Sequence, residues 1–270
     1  MLYRIILIFF LSLSISAEAK IDTLRVKSLA MNGHVSNLII LPNSPQSVPL
    51  PVIYLLHGAG GDFGNWMRRA PFIEELAEEL GVMIVCPDGY KQSWYLNSPE
   101  LSESQYETYF IEELLPTIDS LYDTKPSSDY RAITGLSMGG HGALYLALRH
   151  PELFNCAGSM SGGVDLRPFP NNWGLPVLLG DIKDYPSRWA EHSVVEIAAE
   201  EATASSSVRF IIDCGLNDFF LDVNRELDRV MTLNGIQHVY SEREGAHNWQ
   251  YWRVSVVDHF RFFAERFAKN

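Results

Sequence analysis

Gly135-Leu136-Ser137-Met138-Gly139 places a hydroxyl between two glycines. The residues before it, 131–134, are apolar and strand-like, and the residues after it have helical character. A strand that turns directly into a helix leaves the serine on a sharp, strained corner, with its hydroxyl projecting over the sheet edge. Side chains two positions before and after would collide across such a corner, so glycine is expected at 135 and 139. A helix beginning at the serine directs its unpaired N–H groups and dipole toward any negative charge that develops there. Gly140, Gly142 and Ala143 keep that helix slim enough to lie close to the sheet.

A serine hydroxyl is a weak nucleophile until a base removes its proton. At a strand–serine–helix corner the partners follow in the order acid, then histidine. Downstream lie His141, His150, His192, His238, His247 and His259. His141 and His150 share the serine's helix and cannot turn back to it. His192 precedes the best acid, His238 stands at the start of a strand, and His259 lies inside the last helix. His247 lies in a loop between a strand at 236–241 and a terminal helix, and is the expected base. Among Asp213, Asp218 and Asp222, Asp218 follows a strand end in the loop Gly215-Leu216-Asn217-Asp218 and is the expected acid. The same position also suits a helix N-cap. Asp213 belongs to the strand, and Asp222 stands one turn into the next helix.

Acyl transfer from an ester passes through an oxyanion that needs preplaced donors. The Met138 N–H is one candidate. The other is expected in His57-Gly58-Ala59-Gly60-Gly61, a turn that follows an apolar strand at 52–56. Ala59 is the first choice, with Gly60 next, and His57 is read as a prop for the loop.

The elements that must carry these residues alternate along the chain. Runs at 52–56, 82–86, 131–134, 156–160 and 208–214 read as short strands apolar on both faces, as a covered parallel sheet requires. Helical periodicity appears at 72–80, 106–122, 219–233 and 249–267, with Pro116 expected to kink the second. An entry pair of strands spans 23–41, turning at Asn32-Gly33. The pattern predicts an α/β fold, a doubly wound, mostly parallel sheet flanked by helices, with its site beyond the carboxyl ends of the strands.

The first nineteen residues stand apart. Arg4, the apolar stretch 5–13 and Ala17-Glu18-Ala19 read as a secretory signal peptide cut after Ala19, leaving one domain over 20–270 that is secreted or periplasmic. Thirty-three acidic against 21 basic residues give a formal charge of −12. That balance argues against nucleic acid and against anionic membrane surfaces, and after cleavage no segment is apolar for long enough to span a membrane. Cys86, Cys156 and Cys214 read as buried thiols, with one bridge possible in an oxidising compartment. No metal-ligand spacing is present, and neither metal nor cofactor is expected.

From about residue 25 to 265 the chain resembles the esterase D family of α/β-hydrolases. That family includes S-formylglutathione hydrolases, mycolyltransferases, tributyrin-type esterases and feruloyl esterases. The likeness rests on Leu55-Leu56-His57-Gly58-Ala59-Gly60-Gly61, Ser93-Trp94-Tyr95, Glu113-Leu114-Leu115-Pro116, Gly135-Leu136-Ser137-Met138-Gly139-Gly140, Cys214-Gly215 with Asp218-Phe219, and Gly245-Ala246-His247-Asn248-Trp249. It implies Ser137, Asp218 and His247 as catalytic triad and Ala59 and Met138 as oxyanion donors. It also implies that Ser93, Trp94 and Tyr95 form part of the pocket wall, and Gly60 and Trp249 are expected to join Trp94 and Tyr95 in binding substrate. From the residues alone, Trp94-Tyr95 is an exposed aromatic pair after a strand end that could line a cleft. Trp173, Tyr185 and Trp189 stand near possible pocket rims. The implied activity is hydrolysis of short acyl, acetyl or feruloyl esters, small or attached to a plant polysaccharide. The secretion signal weighs against a glutathione thioester. An acyltransferase using the same acyl-enzyme, or a non-catalytic binding protein on the same fold, are the alternatives. Oligomeric state is not legible.

Overall fold

The computed structural model describes residues 20–43, 48–200 and 207–269; the expected leader, 1–19, lies outside them. Eight strands form one sheet in the order β1-β2-β4-β3-β5-β6-β7-β8. They are β1 (Lys20–Ser28), β2 (Gly33–Leu41), β3 (Val52–Leu56), β4 (Met83–Pro87), β5 (Arg131–Leu136), β6 (Cys156–Met160), β7 (Arg209–Gly215) and β8 (His238–Arg243). The β1–β2 hairpin joins β4 antiparallel, and every pairing from β4 through β3, β5, β6 and β7 to β8 is parallel. This is the doubly wound, mostly parallel α/β-hydrolase arrangement expected.

Burial follows from position. Every residue of β3, β4, β5 and β6 is buried, whereas the edge strands β1 and β8 keep exposed or half-exposed positions. Alternation splits β3 between two cores: Val52, Tyr54 and Leu56 face one, Ile53 and Leu55 the other. Helix Trp249–Phe267 covers the second core with Trp252, Val256, Phe260 and Phe263, while helix Leu221–Leu233 covers the first with Val223, Leu227 and Met231.

The expected helix over 106–122 departs from the simple kink. An α-turn at Tyr106–Thr108 widens into a π-helix at Tyr109–Leu114, and α-geometry resumes at Leu115–Leu121. Pro116 has no N–H for the carbonyl one turn back and its ring presses on it; the wider turn relieves that crowding. Thr117 Oγ1 donates to the Glu113 carbonyl at 2.6 Å. The Glu113 carboxylate meanwhile accepts the Leu29 and Ala30 N–H groups at 2.9 and 3.2 Å, anchoring the β1–β2 turn. The three cysteines are free and buried. Burial pushes each thiol upward, Cys156 to about 12, so thiolate chemistry is disfavoured.

Candidate active site

Ser137 stands between β5 and helix Met138–Arg149 with φ 55° and ψ −118°, a conformation rare for a residue with a side chain. The main chain holds it there from both sides: Ser137 N–H donates to Met160 O at 3.0 Å, and Gly163 N–H donates to Ser137 O at 3.3 Å. A Cβ at Gly135 would lie 2.6 Å from the Gly139 backbone, and one at Gly139 would lie 2.6 Å from Leu56 O. Both glycines are therefore required for the corner to close.

His247 occupies the loop between β8 and helix Trp249–Phe267, whose start is capped by Asn248 accepting the Tyr251 N–H at 3.1 Å. Its Nε2 lies 2.9 Å from Ser137 Oγ, and its Nδ1 lies 3.0 and 2.9 Å from the two Asp218 oxygens. A carboxylate only accepts, so Nδ1 carries the proton and Nε2 is free to accept from the Ser137 hydroxyl. Asp218 Oδ1 also accepts the Phe220 N–H at 2.9 Å, so one carboxylate both orients His247 and steadies the helix start. The loops carrying acid and base are bonded to each other, Leu216 N–H to Arg243 O at 2.9 Å and Asn217 N–H to Gly245 O at 2.8 Å.

The turn after β3 lies against the serine: a Cβ at Gly58 would be 3.2 Å from Ser137 Cβ. Gly60 adopts φ +77° and spends its N–H on Lys91 O at 2.8 Å, so it is not the donor that the alternative choice required. Among the described residues no hydrogen bond engages the N–H of Ala59 or of Met138, the first residue of its helix. His57 props this turn as expected. Its Nε2 accepts the Gly89 N–H at 2.8 Å, which leaves Nδ1–H to donate to Gly58 O at 2.8 Å.

The aromatic surroundings depart from the expectation. Trp94 and Tyr95 are 1% and 0% exposed and do not form an exposed pair lining a cleft. Tyr95 donates from its hydroxyl to His57 O at 2.9 Å and packs where a Cβ on Gly142 would stand, so it buttresses the turn from beneath. Trp94 lies against Gly163 and edge-on to His141, and donates Nε1–H to Trp173 O at 3.2 Å. Burial lowers His141 to about 4, keeping it neutral under this layer. Trp249 is half-buried against Trp66, beneath the Arg69 guanidinium, and meets His247 only through Trp252. Trp189 is fully buried and Tyr185 lies under Arg188, while Trp173 does reach the rim.

Phe219, noted in the sequence only as part of the Asp218-Phe219 motif, takes a place in the site that the motif did not assign it. It is 55% exposed, lies 4.3 Å between ring centroids from His247, and stacks on Trp173 at 5.8 Å and 20°. Its place directly after Asp218 was the available signal.

Residues 28–263 match the family model Esterase. An acetyl esterase of Caldicellulosiruptor saccharolyticus is 25% identical over 239 residues, covering 82% of this chain and 85% of that protein. An esterase of Mycobacterium tuberculosis is 40% identical over 159 residues, which span 57% of this chain and 34% of that longer protein. Among solved structures, a ferulic acid esterase superposes with a TM-score of 0.81 at 28% identity, covering 93% of this chain and all of that one. An S-formylglutathione hydrolase from Staphylococcus aureus superposes at 0.80 with 20% identity over 92% of this chain, a likeness of fold.

Proposed function

Because the chain belongs to the Esterase family, we propose that this carboxylesterase acts through an acyl-enzyme formed on Ser137. The observation that carries the reading is the unbroken Ser137–His247–Asp218 hydrogen-bonded chain, with 2.9 Å at each end. As Ser137 Oγ attacks the ester carbonyl carbon, His247 Nε2 takes its proton, and Asp218 stabilises the imidazolium. The carbonyl oxygen becomes an oxyanion facing the Ala59 and Met138 N–H groups. His247 returns the proton to the departing alcohol as the acyl–alkoxy bond breaks. Water, deprotonated by His247, then attacks the acyl carbon, releasing the acid and restoring the Ser137 hydroxyl.

The acyl group is acetyl, short-chain or feruloyl, in keeping with relatives named acetyl esterase and ferulic acid esterase. The leader over 1–19 makes an ester met outside the cytoplasm the natural substrate, including esters carried on plant polysaccharide. Among the described residues no helix is long and apolar enough to cross a membrane.

The test uses a fluorophosphonate and a substrate panel. The probe is expected to add one covalent label, mapped to Ser137 by peptide mass spectrometry, and to abolish hydrolysis of whichever acetyl, butyryl or feruloyl ester is preferred. Labelling at another residue, or activity surviving full labelling, removes the acyl-enzyme reading.

A further inference from the structure

Three aromatic rings surround the catalytic base. Between centroids Phe219 lies 4.3 Å from His247, Trp252 4.9 Å and Phe220 5.3 Å, at interplanar angles of 42, 89 and 76°. All three fall within the roughly 6 Å over which a ring attracts a cation. Trp252 and Phe220 are buried and belong to the two cores as well. Phe219 is more than half exposed, and a ring left in water in this way contributes little to folding. It is nonetheless held in place. Its ring lies 4.6 Å from Phe220, and Trp173 stacks behind it at 5.8 Å and 20°. Trp173 itself adopts φ 47°, a conformation rare for a bulky side chain and one that persists only where the surroundings enforce it.

The charge on His247 changes during the reaction. Its Nε2 accepts from Ser137 Oγ at 2.9 Å as a neutral imidazole, and the ring becomes an imidazolium once it has taken that proton. The negative face of a phenyl ring attracts the imidazolium more than the imidazole. The contact therefore strengthens on the way to the transition state, which is the condition for raising kcat. The charged group that meets the ring is the Asp218 carboxylate, at 2.9 Å. Among the described residues Glu244, on the same loop, forms no ion pair with it. The Arg69 guanidinium stands off beyond Trp249, 5.7 Å from that ring's centroid. Ser137 on the corner, and Asn248 and Trp252 at the helix start, are neutral.

We infer that Phe219 is a positioning residue whose π-system stabilises the His247 imidazolium, with Trp173 holding it there; the inference rests on the Ser137 hydrolase reading. Asp218 balances the new charge from the Nδ1 edge, and Phe219 does so from the adjoining ring contact. Trp252 and Phe220 are tied into the cores, so Phe219 is the ring of the three that can be altered without disturbing the fold.

The test places mono-, di- and trifluorinated phenylalanine at position 219, which keeps the ring's shape and drains its negative face stepwise. Phe219→Tyr keeps the face, and Phe219→Leu keeps apolar bulk without it. Hydrolysis of ethyl acetate is followed against pH, and protonation of His247 is followed by NMR of its ring C–H. Across the fluorine series kcat is expected to fall about two- to fivefold with KM unchanged. A weaker face favours the imidazolium less, so the ring gives up its proton at a lower pH. The acid limb of kcat/KM and the NMR midpoint should both move down, by about half a pH unit for the trifluorinated ring. Phe219→Tyr should keep the wild-type values, and Phe219→Leu should match the trifluorinated protein. A flat kcat and a fixed midpoint across the series overturn the inference, whatever Phe219→Leu does, because the ring then acts by bulk alone. A rise in KM with kcat unchanged also overturns it and makes Phe219 a wall for substrate. Wild-type protein inert on every ester overturns the hydrolase reading, and the midpoint, which needs no substrate, still decides whether the ring acts on His247.

Discussion

Two hydroxyl–imidazole–carboxylate chains cross this sheet. One is Ser137–His247–Asp218. The other runs from Thr134 Oγ1 to His259 Nδ1 at 2.7 Å and from His259 Nε2 to Asp213 Oδ2 at 2.9 Å. Thr134 and Ser137 belong to β5 and its corner, Asp213 and Asp218 to β7 and the loop after it, and His247 and His259 flank or occupy the terminal helix. The group types and distances nearly coincide, yet the two differ in four ways. Thr134 and His259 are fully buried and Asp213 nearly so, whereas the His247 ring is partly open to solvent. Thr134 lies within regular strand paired to Gly158, so its backbone is unstrained and its neighbours' polar groups belong to the ladder. Asp213 is also held by the Ser255 hydroxyl at 2.6 Å, with the Arg243 guanidinium at 3.6 Å. The His259 ring is also reversed, presenting Nε2 rather than Nδ1 to its carboxylate. A relay becomes a nucleophile when its hydroxyl stands on a corner beside unspent N–H donors. Buried within the sheet, the same relay ties three elements together.

The largest expected effect separates the hydroxyls. Ser137→Ala should lower kcat by about 10⁴ or more, the scale set by removing a triad serine. Thr134→Val keeps the strand and removes only the sealed hydroxyl. Its activity per folded molecule should stay within about tenfold of wild type, since nothing it touches meets substrate. Measuring both on the preferred ester, corrected for folded protein, checks the pair. Equal losses would erase the distinction between the two chains.

Next in size is a stability effect larger in the sealed relay than in the open one. His259→Leu leaves the Asp213 carboxylate buried with Ser255 and Arg243 as its remaining partners. Breaking a buried charge's network in this way typically costs about 3–5 kcal/mol. Urea denaturation of His259→Leu should show that loss; His247→Leu also strands a buried carboxylate, Asp218, which keeps the Phe220 N–H, but its own ring is partly open to solvent, so the loss there should be the smaller of the two. Similar losses in the two variants would mean that the relays do not differ in burial energetics.

What the sequence disclosed, and what it did not, follows the same division. Strand periodicity, the Gly-x-Ser-x-Gly corner and the order Ser137, Asp218, His247 depend on short stretches of chain, and the fold can be read from them. Thr134 and Asp213 looked like ordinary strand residues, because a sealed relay leaves no turn, glycine pair or loop to announce it. The burial of Trp94 and Tyr95 was hidden for another reason. It is set by Trp173, His57 and Gly142, which come from three distant segments. The π-turn at Tyr109–Leu114 resolves a conflict between Pro116 and its preceding carbonyls that local pattern could only register as a kink. Gly60 reads from its loop as a donor, and only the approach of Lys91 shows its N–H already engaged.

The smallest effect tests the strain at the corner itself. Ser137→Gly and Ser137→Ala both lack the hydroxyl, so both abolish the relay and differ only in backbone preference. At φ 55° and ψ −118° an alanine keeps the steric penalty of a Cβ, and a glycine does not. That penalty is on the order of 1–3 kcal/mol, and glycine's greater freedom in the unfolded chain offsets about 0.5–1 kcal/mol of it. Ser137→Gly should therefore melt about 2–4 °C above Ser137→Ala, corresponding to a net gain of about 1 kcal/mol in a domain of this size. At Thr134 the order should reverse, because glycine within a regular strand forfeits packing and entropy with no strain to relieve. Thermal melts of the four variants give both differences. A Ser137→Ala protein that melts above Ser137→Gly would mean that the serine corner stores no strain, and the backbone contrast between the two relays would fall with it.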